Sequence, residues 1–196
     1  MTCLHVFSAA DPENPTLRAR RPERIRRELA AIGVRYEQWE IDRALPPQAD
    51  TSAVLDAYRK PVDRMCAEGG YTLVDVASVH PDPADPKWPD RAREARTSFL
   101  EEHYHEEDEV RFFAGGTGCF YLHSQNRVYA VLCTAGDLIS VPARTAHWFD
   151  MGSEPDFTAV RFFRSADGWI GTFLPHSLAA RFPTMDELLP AAREAA

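Results

Sequence analysis

The chain has 196 residues, 44% of them hydrophobic and 27% charged, with 30 acidic side chains against 22 lysines and arginines for a formal net charge of −8. That length and composition exclude a large two-domain enzyme, a disordered chain and a fibre, and the acidic balance argues against nucleic acid or an anionic lipid surface as partner. No segment approaches the roughly 18 unbroken apolar residues that cross a bilayer, so a soluble, cytoplasmic protein with no membrane partner is expected.

The opening MTCLHVFSAADPENP shows no basic cluster followed by a long apolar run, and no structural element is assigned to it. Pro22 followed by Ile25, Leu29 and Ile32 at helical spacing, with Gly33 behind, predicts a helix over 22–32. Val34–Ile41 is rich in strand formers, but its alternation slips, which predicts a strand with a bulge. From Asp50, an N-cap candidate, Val54, Leu55, Tyr58, Val62, Met65 and Cys66 form a second helical stripe that Pro61 must bend or split and Gly69–Gly70 ends. Tyr71–Val79 reads as a strand, and prolines 81, 83, 86 and 89 then predict an extended connection.

Beyond residue 96 the texture changes to short runs broken by turn residues: Glu109–Phe113, Gly118–Leu122, Val128–Cys133, Leu138–Val141, His147–Met151, Phe157–Phe163 and Trp169–Phe173. Such spacing predicts a sandwich or barrel. Met185–Ala196 reads as a docked C-terminal helix. Cys3, Cys66, Cys119 and Cys133 include no CxxC pair and read as buried thiols of a reducing compartment.

Within the β region, His103 and His105 alternate with Tyr104. Side chains two apart on a strand share a face, so the two imidazoles can reach one point. A turn over Glu106–Asp108 would return Glu109 toward them, and His147 would come from another strand. Three neutral imidazoles and one carboxylate suit iron, nickel, manganese, cobalt or zinc, whereas magnesium and calcium prefer all-oxygen shells. The run Glu101, Glu102, Glu106, Glu107 and Asp108 is expected to be a solvated face, leaving Glu109 as the acidic ligand. Arg111 shares the face of Glu109 and is placed to meet an anionic oxygen. Nothing draws His5, His80, His123 or His176 into the pattern, and surface or structural roles are expected for them.

The HxH, acidic residue and Gly116 order, followed by Gly136, Pro142 and His147, resembles the two motifs of the cupin superfamily. Arg144 stands where a turn glycine is usual there, and Met151 where an asparagine is usual. The segment EEHYHEEDEVRFFAGGTGCFYL (101–122) and the earlier RPERIRRELAAIGVRYEQWE are similar to the acireductone dioxygenases of methionine salvage.

The resemblance implies a mainly β, cupin-type, jelly-roll-like barrel with a few peripheral α-helices, in a single domain. Residues 1–95 would pack on the barrel, 96–175 would form the metal-binding core and 176–196 a C-terminal tail. It also implies one Fe(II) or Ni(II) per chain on His103, His105, Glu109 and His147. Phe99 and Phe149 would line the substrate pocket, with Arg111, Arg161 and Trp169 around the site.

The implied reaction cleaves 1,2-dihydroxy-3-oxo-5-(methylthio)pent-1-ene with O2 to formate and 4-methylthio-2-oxobutanoate. With nickel the implied products are 3-methylthiopropanoate, formate and carbon monoxide. A monomer is expected. The alternatives are another metal-dependent cupin dioxygenase, or a non-catalytic cupin binding a small ligand. A transcriptional sensor of the second kind would be expected to carry an appended helix-turn-helix or basic patch, and neither is seen.

Overall fold

A computed structural model describes residues 1–41, 45–46 and 49–194. The chain opens with β1 (Cys3–Ser8) and β2 (Asp11–Ala19), to which sequence reading had assigned nothing. Helix α1 (Pro22–Ala30) has Pro22 in its first turn, buries Ile25 and Leu29, and is followed by Gly33 at φ 78°. The strand expected over 34–41 is shorter, β3 (Arg35–Gln38).

Asp50 caps α2 (Thr51–Ala57), its carboxylate accepting from the Ala53 amide at 2.8 Å. The stripe breaks at Tyr58 and resumes as α3 (Arg59–Gly69). Pro61 falls in the first turn of α3, where a missing amide hydrogen leaves no intrahelical bond unmade, so the helix is split just ahead of it. Gly70, at φ 66°, ends α3.

Beyond β4 (Leu73–Val79) the proline-rich stretch is not extended throughout. Helix α4 (Trp88–Thr97) starts inside it, with Pro89 in the first turn, where proline fits best. Then follow β5 (His103–Tyr104), β6 (Glu109–Ser124), β7 (Arg127–Thr134), β8 (Asp137–Val141), β9 (Ala146–Asp150), β10 (Phe157–Phe163), β11 (Thr172–Phe173) and α5 (Met185–Glu194). The strand expected over Trp169–Phe173 contracts to its last two residues, because Trp169 belongs to a turn. Of the expected C-terminal helix, residues 195 and 196 lie outside the described residues.

The strands form two antiparallel sets, in the orders β11-β5-β9-β6-β7-β1-β2 and β4-β10-β6-β8-β3. The two segments read separately as 109–113 and 118–122 are one 16-residue strand that serves both sets. Its first half pairs with β8 and β10, and its second half with β7 and β9. At the junction Thr158 faces Gly115 while Ala159 faces Phe113, so Ala114 is an extra residue. That bulge changes parity: Phe113 faces the central core before it, and Phe120 and Leu122 do so after it.

Leu4, Val6 and Val131 of one sheet meet Tyr36, Ile139 and Ala159 of the other in this core. The outer face of the first sheet is covered by Phe182, Met185 and Leu188, and that of the second by Val54, Tyr58, Val62 and Met65. Sheets buried on both sides explain the unbroken apolar run Val128–Cys133. The mainly β architecture with few helices is therefore as expected, although among the described residues hydrogen bonds do not close the barrel.

Candidate metal centre and its cavity

His103 on β5 pairs directly with His147 on β9, and His147 in turn faces Leu122 of β6. His105 follows two residues after His103, and Glu109 begins β6. One ligand atom from each of these four side chains lies within 4.8 Å of all the others.

Each imidazole is held by its Nδ1, which bonds to a backbone carbonyl: Glu101 at 2.7 Å for His103, Ile170 at 2.9 Å for His105, Thr145 at 2.7 Å for His147. A carbonyl can only accept, so Nδ1 carries the hydrogen and each neutral ring turns the lone pair of Nε2 inward. The Glu109 Oε2 lies 3.4 Å from His105 Nε2 and 2.5 Å from His147 Nε2. Both Glu109 Oε2 and His147 Nε2 are buried without a hydrogen-bond partner. Two lone pairs facing each other at that distance repel unless a cation lies among them, and three Nε2 atoms with one carboxylate oxygen are the donors that a divalent transition metal takes. The residues present fit such an ion.

Arg111 reaches the other carboxylate oxygen, Glu109 Oε1, at 2.8 Å. Burial alone would push the Glu109 carboxyl up, but the Arg111 guanidinium beside it holds it well below the usual carboxylate range. Burial in turn draws the Arg111 guanidinium below its usual value, against the pull of Glu109. Arg111 also faces Arg161 directly across the strands, and both guanidinium groups lie over the Phe163 ring, at 5.4 and 5.5 Å. Asp75, the next residue in that row, binds Arg161 through both oxygens at 2.6 and 2.7 Å.

A cavity of about 450 Å³ opens onto this group. Of the nine residues singled out from sequence, Phe99, His103, His105, Glu109, Arg111, Phe149, Arg161 and Trp169 line it, and His147 sits behind the wall at 2% exposure. Phe149 donates its amide to the Phe99 carbonyl at 3.0 Å, which places Phe99, two residues past the end of α4, beside β9. Phe99 and Trp169 are 42% and 61% exposed and stand at the mouth.

Sequence reading missed Phe113, though it continues the alternation of Glu109 and Arg111. It also missed Ala77, Phe173 and Asp75, which carry no local signal because their neighbours come from other strands. The acidic run is a solvated face only in part: Glu101 and Glu106 are exposed, whereas Glu102, Glu107 and Asp108 are drawn inward. Glu102 is 1% exposed and binds His123 Nδ1 at 2.6 Å and the Leu178 amide at 3.0 Å. Glu107 and Asp108 tie to Ser165 and Arg164, and Glu106 ties to Arg144. Arg144 adopts φ 62°, the left-handed conformation for which a glycine is suited.

Residues 7–171 match the family model described as ARD/ARD' family. The chain is 52% identical over 192 residues to acireductone dioxygenase 2 of Nocardia farcinica, covering 97% of this chain and all of that one. It is 50% identical over 189 residues to the acireductone dioxygenase of Saccharopolyspora erythraea, covering 96% of this chain and 98% of the other. The structure resembles that of an acireductone dioxygenase from Bacillus anthracis with a cadmium ion in its active centre, with a TM-score of 0.73 at 27% identity. The likeness covers 88% of this chain and 98% of that one.

Proposed function

The chain belongs to the ARD/ARD′ family, and from that premise we propose how its own residues carry the reaction. It is a cupin-type oxidoreductase of methionine salvage, a metal-dependent dioxygenase that acts on an acireductone with O2. The substrate is 1,2-dihydroxy-3-oxo-5-(methylthio)pent-1-ene. With iron, cleavage of its C1–C2 bond places one oxygen atom of O2 in formate and the other in 4-methylthio-2-oxobutanoate. With nickel, loss of C2 as carbon monoxide leaves formate and 3-methylthiopropanoate.

His103, His105, Glu109 and His147 hold the metal, one ion per chain. When bound, it supplies positive charge that favours the ionised enediol and a centre open to small ligands. Arg111, already paired with Glu109, presents its charge to the enediolate and fixes its orientation. Arg161 adds a second cation along the same wall. Phe99, Phe149 and Trp169 keep water from the oxidisable carbon skeleton. The observation that supports this reading most directly is the convergence of three carbonyl-locked imidazoles on an unpartnered carboxylate oxygen. Among the described residues no helix is long and apolar enough to cross a membrane. A cytoplasmic monomer without nucleic-acid or membrane partners completes the proposal, in keeping with the net charge of −8.

The test is to strip the protein, reload it separately with Fe(II) and Ni(II), and measure formate, keto acid and carbon monoxide against metal-free protein under air. Iron is expected to give keto acid and formate, and nickel to give carbon monoxide and formate with 3-methylthiopropanoate in place of the keto acid. His105→Ala should lose most of the metal and all turnover, and His176→Ala, an exposed change, neither. Full occupancy by either metal without faster loss of the acireductone would overturn the assignment.

A further inference from the structure

The inner face of the second sheet is graded along its strands. Its first row holds Glu109, and the next holds Arg111, Arg161 and Asp75 in direct register. The row after that is Phe113, Ala159 and Ala77, and the strands end on Phe157 opposite Val79. On β10 and β4 charge thus gives way within two residues to alanine, while β8 contributes Val141 and Ile139 to the two charged rows. An anionic head held by Arg111 and Arg161 would direct an apolar tail toward those alanines.

The apolar end is also underfilled. Ala77, Val79, Ala159, Met151 and Phe157 line the same cavity as the metal-ligating group. Ala77 and Val79 point inward by parity and are nevertheless half-buried rather than buried. The cavity volume of about 450 Å³ lies in the range of sites that enclose drug-sized molecules, whereas the methylthio acireductone has only ten non-hydrogen atoms.

Lengths lead to the same place. At about 3.4 Å per residue, the Arg111 row and the alanine row are roughly 7 Å apart, and the Val79–Phe157 row is roughly 7 Å further. An extended chain advances about 1.2 Å per bond. The four tail atoms beyond the substrate carbonyl therefore span roughly 5 Å and stop near the alanines.

Resting on the function proposed above, we infer that this chain accepts acireductones whose alkylthio tail is longer than methylthio by about four methylenes, and that Ala77 and Ala159 set this limit. A larger side chain at either position would fill the space into which the tail extends.

The experiment compares methylthio, propylthio and pentylthio acireductones. Binding to the metal-loaded protein is measured by calorimetry without oxygen, and kcat/KM under air. Affinity is expected to rise by about fourfold per methylene up to the pentylthio compound. Ala159→Leu and Ala77→Leu should each abolish the gain, so that affinity stays flat from the methylthio to the pentylthio compound. Because Ala159 is fully enclosed and its variant is the more prone to misfold, the half-buried Ala77 position provides the second reading. Turnover of the methylthio compound with flat or falling affinity along the series overturns the inference alone. Failure to bind or turn over any of the three overturns the function assigned to the head-group site as well.

Discussion

Arg111 and Arg161 face each other on neighbouring strands, and like charges in direct register destabilise a sheet unless each has a counter-charge. Glu109 serves the first and Asp75 the second. Asp75 does not line the cavity, so it is expected to act on the reaction through the guanidinium groups beside it, chiefly the one that it holds over Phe163. It is a positioning residue. Arg161→Gln and Asp75→Asn should each raise KM by about tenfold, the equivalent of about 1.4 kcal/mol, with kcat within twofold and metal content unchanged. The double variant should be no worse than Arg161→Gln alone, because the carboxylate has nothing left to position. Multiplying effects would show that Asp75 acts independently. Arg111 was legible from its spacing to Glu109, whereas Asp75 was not, since 36 positions of chain separate it from its register partner's neighbour Arg111 and no local pattern spans them.

The long strand β6 joins two sheets because its backbone can change parity at Ala114 and turn at Gly116. A Cβ on Gly116 would stand 1.9 Å from the Asp156 carbonyl oxygen and 2.5 Å from the Phe157 Cα, and φ there is 71°. Gly116→Ala should therefore lower stability by about 3 kcal/mol or more in urea unfolding. Arg144→Gly should act in the opposite sense and raise the Tm. It relieves a left-handed residue, keeps the amide bond to the His105 carbonyl, and gives up only an exposed pair with Glu106, which contributes little. A fall in Tm would show that this pair carries more than its exposure implies. The same element shows what sequence can and cannot convey. Its two halves were legible by composition, and the grouping of His103, His105 and Glu109 by their spacing, but the continuity of the strand depends on pairing with β10. Strand β1 was missed because CLHVFS is apolar on both faces, and β2 because an edge strand tolerates Pro12 and Pro15. Helix α4 buries only Ala92 among its residues and so presents no stripe to read.

Acid should unfold the molecule as a whole through its N-terminal strand as well as through its metal site. His5 sits in β1 between β2 and β7 at 4% exposure. Burial first, and then Arg18 and Arg20, lower its pKa to about 4, against about 6.5 in an unfolded chain. Between those values the unfolded chain binds a proton that the folded one refuses, so stability falls as pH falls. The neutral ring's contribution is complete above pH 6.5 and is lost progressively toward pH 4. The slope has a ceiling of about 1.4 kcal/mol per pH unit, reduced by whatever contact the ring keeps with solvent. His5→Gln removes this titration and leaves the ligand histidines as they are. Protonation of those ligands then weighs equally on both proteins and cancels in the comparison. Urea midpoints measured from pH 7 to pH 4.5 should fall more steeply in the parent chain than in the variant, with the two curves converging or crossing as the pH drops. Parallel curves would place the acid sensitivity elsewhere, because a ring that is neutral in both folded and unfolded chains, or charged in both, contributes no slope.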